Sequence, residues 1–258
     1  MFRVRGFIAP LCAALVLAGC GGRRTGAVTG AEGGGAGVGA ADYLAPPTPL
    51  GIETKGEGLS LWGSAPAGGR ARLATPDGKA LFADVDPEGR WRLALGPLAA
   101  PQIYGLSATA KGRTVQAQGY ILVGPRGPAA LLRAGAAAWR IDRPAGSGLR
   151  SLDYDRAGGG AVSATVPIRA TVRLELDGRQ VAEGRADADG RFEVALPEPV
   201  RPGVHRLRLV GDGFTDSVTV QITPPLAQGP MRSQFTAASL RADWMTPGGG
   251  VQSTILFH

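Results

Sequence analysis

An internal repeat of about 101 residues constrains the fold of this chain more than any other feature. Residues 73–123 and 174–223 share turn residues and apolar residues in the same order, with one residue slipped midway. The matching pairs are DGK at 77–79 with DGR at 177–179, DPEGRWRLAL at 86–95 with DADGRFEVAL at 187–196, and IYGL at 103–106 with VHRL at 204–207. Self-similarity at a fixed spacing indicates one structural unit built twice.

Both copies alternate apolar and polar residues with a period of two. In the second copy these runs cover residues 172–176, 192–196, 204–210 and 218–222, separated by Asp-Gly and Pro-Gly turns. Short alternating runs about every ten residues predict an antiparallel β-sandwich. Asp-Gly pairs supply the positive φ that hairpin turns require. Trp91 and Phe192 hold the same repeat position, which predicts that each lies in the core of its own sandwich.

The turn and core motifs DGR, ADADGRF and PGVHRL resemble bacterial Ig-like repeats of envelope proteins. They are also similar to the transthyretin-like sandwich modules found beside carboxypeptidases. The resemblance covers residues 60–125 and 160–224 and implies a scaffold without an active site. The chain lacks the Cys–Trp–Cys set of true immunoglobulin domains. The expected fold is therefore all-β, with two tandem Ig-like antiparallel β-sandwiches.

The first 20 residues have the organisation of an export signal. Arg3 and Arg5 precede an apolar run at 7–18, and the tetrapeptide LAGC at 17–20 overlaps the end of that run. That run is too short for a spanning helix, which needs about 20 residues. The tetrapeptide resembles the bacterial lipobox, which implies cleavage before Cys20 and acylation of its sulfur and new amine. Gly21 resembles the outer-membrane sorting pattern. The alternative is an ordinary secretory signal with an incidental cysteine.

Composition divides the chain into six segments. We predict a lipoprotein signal peptide at 1–19, an acylated Cys20 with a Gly/Pro-rich flexible tether at 20–50, and a first sandwich at 51–125. A connecting segment at 126–160, a second sandwich at 161–225 and a C-terminal tail at 226–258 follow. Within the connecting segment, residues 129–138 fit a short helix or a strand, residues 149–154 fit a strand, and Trp139 is expected to be buried.

The residue pattern of the tail predicts a long β-hairpin. Residues 235–244 and 251–257 flank TPGGG at 246–250, where glycines allow the backbone to reverse. Two roles remain open for its apolar face. It can dock a partner, with Trp244, Met245 and Phe257 as the candidate contacts, or it can cover an open sandwich edge, which proteins must protect.

Catalytic and metal-binding patterns are scarce. The two histidines, His205 and His258, do not have the spacing of a zinc site, and no Gly-x-Ser-x-Gly elbow or phosphate loop occurs. Asp84, Asp86 and Glu88 resemble the start of a calcium loop, but the twelfth position holds Leu95 instead of a bidentate acid. A polar hairpin turn is the simpler interpretation. We therefore expect no enzyme activity, no metal and no cofactor.

These features predict a non-catalytic lipoprotein, anchored in the outer membrane through Cys20 on the periplasmic side or at the cell surface. It would act as a structural or adhesion-type module in a cell-envelope assembly, with an envelope protein or glycan as partner. The net charge of +7 is spread along the chain, so codon bias or contact with anionic envelope polymers both explain it, and nucleic acid is not expected. The alternative is a glycan- or peptidoglycan-binding module that uses an exposed aromatic such as Trp62. A hydrolase with an unrecognised site is the remaining rival.

Overall fold

The computed structural model describes residues 43–125, 127–226 and 229–258. The predicted signal peptide, Cys20 and most of the predicted tether therefore lie outside the described residues. From Tyr43 onward the chain forms one compact unit. Among these residues, none belongs to a helix with the length and apolar character needed to cross a membrane.

The first repeat forms seven strands in two facing antiparallel sheets. They are β1 (Thr48–Lys55), β2 (Gly58–Ser64), β3 (Arg70–Ala74), β4 (Ala80–Asp84), β5 (Arg90–Leu95), β6 (Gln102–Ala110) and β7 (Arg113–Val123). Sheet A has the order β1-β2-β5, and sheet B contains β4-β3-β6-β7. The alternate apolar residues of both sheets meet in one core, which includes Leu61, Leu73, Trp91, Leu106 and Ile121.

Two short strands extend sheet B beyond β7. These are β8 (Ala129–Leu132) and β9 (Trp139–Arg140), which complete the order β4-β3-β6-β7-β8-β9. Of the two structures predicted for residues 129–138, the strand is therefore present at its start. Trp139 is only partly buried, contrary to the prediction, and the guanidinium of Arg191 covers one face of its ring at 3.4 Å from the centroid.

The second repeat has the same strand partition as the first. Its strands are β10 (Gly148–Asp155), β11 (Gly160–Thr165), β12 (Thr171–Leu176), β13 (Arg179–Arg185), β14 (Arg191–Ala195), β15 (Gly203–Gly211) and β16 (Phe214–Ile222). Strands β14-β11-β10 belong to sheet C, and sheet D has the order β13-β12-β15-β16. The all-β fold with two tandem antiparallel sandwiches is thus confirmed. The predicted connecting segment, 126–160, contains strands of both sandwiches.

Equivalent turns in the two repeats contain the same backbone-to-carboxylate hydrogen bond. The backbone N–H of Arg90 donates to Asp86 Oδ1 at 2.7 Å, and that of Arg191 donates to Asp187 Oδ1 at 2.8 Å. Each turn leads directly into the core aromatic of its sandwich. Trp91 is 2% exposed and Phe192 is 4% exposed, so both are buried as the repeat predicted.

The tail adds three strands to sheet C. They are β17 (Met231–Phe235), β18 (Ser239–Met245) and β19 (Val251–Phe257), and the complete order is β14-β11-β10-β19-β18-β17. Strands β18 and β19 form the predicted hairpin, whose turn includes Gly249 at φ 79°. The hairpin is not an appendage, because β19 pairs with β10 along residues 151–155.

The tail faces a different layer on each side. Ile255 and Phe257 enter the core between sheets C and D. On the opposite face, apolar residues of β18 and β19 pack against sheet B in a third cluster, whose buried members are Ile103, Leu122, Ala130, Leu132, Ala138, Leu240, Ala242, Trp244 and Leu256. The four sheets therefore stack in the order A, B, C, D, with an apolar cluster at each of the three interfaces.

Candidate functional site

The junction between sheets B and C holds a buried carboxylate. Asp153 lies on β10 and is 2% exposed. Its Oδ2 accepts hydrogen bonds from the backbone N–H of Ala138 at 2.7 Å and from Ser151 Oγ at 2.9 Å. Its Oδ1 accepts from Thr254 Oγ1 at 2.5 Å and from Gln252 Nε2 at 3.2 Å. All four donors are uncharged, so the carboxylate joins the loop after β8 to sheet C without an ion pair.

Burial dominates the titration of this group. Removal from water raises the pKa of Asp153 to about 6, although the hydrogen bonds that it accepts act in the opposite direction. Buried ionised carboxylates without a cationic partner are costly, and four donors offset only part of that cost. Asp153 thus joins the two sandwiches through hydrogen bonds, and its contribution to stability depends on pH.

Asp153 should make the folded protein less stable as pH rises from about 4 to about 6. The unfolded carboxyl ionises near its usual pKa of 3.8, whereas the folded one holds its proton until about pH 6. Above that pH both states are ionised, and the folded state carries the full difference of roughly 3 kcal/mol. The amide introduced by an Asp153→Asn substitution cannot ionise. The unfolding free energy of the native protein, measured relative to that of this variant, should therefore fall by about 2.5 kcal/mol between pH 4 and pH 7, because part of the full difference is already lost at pH 4.

Denaturant unfolding at several pH values measures this difference. Asp189→Asn is the matched control, because it makes the same substitution at an exposed turn residue away from the junction. A free-energy difference between the native protein and Asp153→Asn that is constant from pH 4 to pH 7 would contradict the prediction.

Further polar contacts hold the loop between β8 and β9 against sheet C. Gln252 Oε1 accepts from the backbone N–H of Gly135 at 2.9 Å, and Gln252 Nε2 donates to the carbonyl of Arg133 at 3.2 Å. Arg133 Nη2 pairs with Glu193 Oε2 at 2.5 Å. The buried guanidinium of Arg140 donates to the backbone carbonyl of Phe257. The first sandwich is thus bonded to both the beginning and the end of β19.

The predicted docking residues occupy different environments. Trp244 is 1% exposed, donates from Nε1 to Thr254 Oγ1 at 3.0 Å and packs edge-on against Tyr120. Phe257 is 5% exposed in the core of the second sandwich, whereas Met245 is 45% exposed. Trp244 and Phe257 are therefore unavailable to a partner in this conformation, because the chain's own sheets cover them. This arrangement corresponds to the alternative in which the tail covers an open sandwich edge.

The two histidines lie apart and have structural contacts. His205 Nδ1 lies 2.7 Å from Asp177 Oδ2, and its Nε2 lies 2.8 Å from the carbonyl of Arg201. The backbone N–H of Arg206 and the His205 ring lower the pKa of Asp177. Burial lowers the pKa of His258, whose ring packs against Phe235. Within the described ranges, no group of three or more His, Cys, Asp or Glu residues is placed to hold a metal ion.

The acidic run before β5 forms the polar turn. The Asp86 carboxylate accepts hydrogen bonds from the backbone N–H and from the side chain of Arg90. Both bonds lower the pKa of Asp86, and the backbone bond is the larger cause. Glu88 pairs with the same guanidinium at 2.9 Å. Two of the three acids thus stabilise the turn that precedes Trp91.

Trp62 lies on the outer face of sheet A. Its ring packs directly on the backbone of Gly51, where a Cβ atom would lie 2.2 Å from the ring. The guanidinium of Arg92 lies 4.8 Å from the ring centroid and pairs with Glu53 at 2.7 Å. The indole is therefore half-buried and held by neighbouring residues, instead of standing free as a stacking platform.

An open groove of about 490 Å³ runs beside β16, the edge strand of sheet D. Its wall is formed by residues 218–221 of β16, and its floor is formed by the tail strands of sheet C. The floor includes Gln234, Ser239, Arg241, Ile255 and Phe257. Sequence patterns did not predict this groove, because its floor and wall are separated in the chain and meet only when β19 pairs with β10.

No family model and no curated protein matches this sequence. Among solved structures, the chain is similar to a domain described as "Biofilm associated protein - BSP domain", at 13% identity and a TM-score of 0.26, covering 72% of this chain and 30% of that one. It is also similar to the "Central Fibronectin-III array of RIM-binding protein", at 11% identity and a TM-score of 0.25, covering 81% and 88%. This chain spans less than a third of the first structure. Similarities this weak do not bear on function, and the sandwich architecture rests on the strand order.

Proposed function

We propose that this protein is a non-catalytic module of a cell-envelope assembly, held at the outer membrane by acyl chains on Cys20. The observation that carries the proposal is the junction between the two sandwiches. Domains joined by a linker ordinarily move relative to each other unless their interface is large and apolar. Here an apolar cluster and the Asp153 hydrogen bonds join sheets B and C. A pair of sandwiches with fixed relative geometry suits a spacer or adhesion-type module.

The anchor follows from the sequence, since the relevant residues lie outside the described range. A single acyl chain binds membranes marginally, whereas two or more anchor a protein stably. Acylated Cys20 would hold the mature chain on the membrane, with the Gly-rich segment before Tyr43 as a spacer. A Gly-rich coil of about 30 residues spans roughly 30 Å on average, which would separate the sandwiches from the lipid surface.

Substituting Cys20 should abolish membrane attachment. Serine cannot form the thioether that acylation requires, so Cys20→Ser should yield an unacylated chain that is either uncleaved or released. Membrane fractionation combined with metabolic labelling by a fatty acid measures both properties. Cys12→Ser is the matched control, because Cys12 leaves with the signal peptide and its loss should leave labelling intact. Acyl label retained by the Cys20→Ser chain would end the lipoprotein proposal.

A further inference from the structure

The free edge of β16 marks a place where the two repeats differ. Within the described residues, β16 pairs only with β15, and it ends sheet D on that side. The equivalent strand of the first repeat, β7, pairs with β6 on one side and with β8 on the other. The first repeat therefore fills a position beside its last strand that the second repeat leaves open.

The paired stretch of β7 corresponds to the groove wall on β16. Ile103 lies opposite Leu122, and its repeat equivalent Val204 lies opposite Gln221, which aligns residues 120–123 with residues 219–222. Residues 120–123 pair with β8, and residues 218–221 line the open groove. The inward side chains also agree, because Ile121 and Val123 enter one core while Val220 and Ile222 enter the other.

The groove has the dimensions of a strand position. Sheet C has six strands and sheet D has four, and β17 and β18 form a ledge that extends past the edge of β16. Strands in a sheet lie about 4.8 Å apart, so a ledge of two strands is roughly 10 Å wide. At one end, Arg241 Nη2 donates to the carbonyl of Thr223 at 3.0 Å and ties the ledge to the end of β16.

The ledge restricts what can pair with β16. In a dimer formed by two β16 strands about a two-fold axis, the two D sheets would merge and both ledges would lie on the same side of the merged sheet. Each ledge extends past its own β16, so the two would occupy the same space. A single extended strand fits above one ledge, whereas a second copy of this sandwich does not.

We infer that one extended strand of a partner polypeptide adds to β16 along residues 218–222 and lies over the β17–β18 ledge. Main-chain hydrogen bonds to the free edge would supply affinity, and alternate side chains would face Gln234, Ser239 and Arg241 of the ledge, as in other cases of strand addition. Arg241 is paired with Asp243 at 2.9 Å, so the floor favours an uncharged segment. The strand β8, with the sequence AALL, shows the chemistry of such a segment in the first repeat.

The inference rests on the proposed role in an assembly, for which it identifies the partner-binding edge. Its test measures binding at the groove alone, so the result does not depend on whether Cys20 is acylated. The probe is a fluorescent synthetic peptide that copies residues 127–132, which carry no charged side chain, added to the full-length protein in detergent. We expect saturable binding by fluorescence anisotropy, together with slower amide hydrogen exchange at residues 218–222.

A substitution that fills the groove should block the peptide. Gln234 lines the floor, and Gln234→Trp should weaken binding roughly tenfold or more. Gln180→Trp is the matched control, since it places the same side chain on β13, the opposite edge of sheet D, and should bind like the native protein. Melting curves of both variants verify that they fold.

Three results would overturn the inference. The first is absence of exchange protection at residues 218–222 with about 1 mM peptide, which corresponds to a binding free energy weaker than about −4 kcal/mol. The second is equal binding by the Gln234→Trp and Gln180→Trp variants. The third is concentration-dependent protection of β16 without peptide, which would identify a second copy as the occupant. In each case a lipid anchor on Cys20 would be unaffected, so failure here is distinguishable from failure of the proposed function.

Discussion

Deleting residues 230–258 should unfold the second sandwich. The deletion removes β19 from the interior of sheet C and exposes the outer face of sheet B. The lost large apolar side chains that are now buried are Leu240, Trp244, Ile255, Leu256 and Phe257. At roughly 2 kcal/mol each, their burial contributes about 10 kcal/mol, which is comparable to the whole stability of a typical domain, about 5–15 kcal/mol.

Calorimetry and near-ultraviolet circular dichroism should show the loss of one cooperative transition in the truncated chain. The first sandwich keeps its own core and should retain some structure, although its exposed apolar face favours aggregation. Met245→Ala is the control, because this residue belongs to the same hairpin but is largely exposed. A truncated chain that melts at the native temperature would contradict this prediction and would favour a tail that serves a partner.

Truncating the core aromatic of either sandwich should cost about 3–5 kcal/mol, because a large cavity replaces a buried ring. The variants are Trp91→Ala and Phe192→Ala. The indole Nε1 of Trp91 also donates to the carbonyl of Ser64 at 3.0 Å, and Trp91→Ala removes that hydrogen bond as well. Equivalent positions should give similar losses of unfolding free energy, measured by urea denaturation.

The matched control is Phe82→Ala. Phe82 lies on the edge strand β4, is 49% exposed and contacts the guanidinium of Arg70 at 4.5 Å. Its truncation should cost less than about 1 kcal/mol, as for most surface substitutions. If Trp91→Ala and Phe82→Ala destabilised the protein equally, the assignment of Trp91 to the core would fail.

The sandwich pattern was predictable because alternation with period two is a local property. Within residues 172–176 or 192–196, the alternation alone indicates which side chains face the core and which face solvent. The repeat then indicates that the same set of strands occurs twice. The turn before Trp91 was predictable for the same reason, since Asp86 and Arg90 are four residues apart.

The junction was not predictable, since its contacts join distant parts of the chain. Ser151 and Asp153 alternate with apolar neighbours on β10 and look like solvent-facing residues, yet sheet B covers them. On the tail, Trp244 and Ile255 belong to opposite faces, so each face carries large apolar side chains. An apolar residue on each side of a hairpin indicates that both faces are covered, but it does not identify the covering surface.

The pairing of β19 with β10 makes the fold depend on order of synthesis. The ribosome releases the chain from its N-terminus, and domains generally fold as units while synthesis continues. The first sandwich has its seven strands once residue 123 has emerged, so it can fold early. Sheet C lacks an interior strand until residues 251–257 arrive, about a hundred residues after β10 has been made. During that interval β10 presents an unpaired edge, and a premature stop before Val251 would leave that edge open permanently. Nascent and prematurely terminated chains would therefore be the forms most exposed to proteases and chaperones.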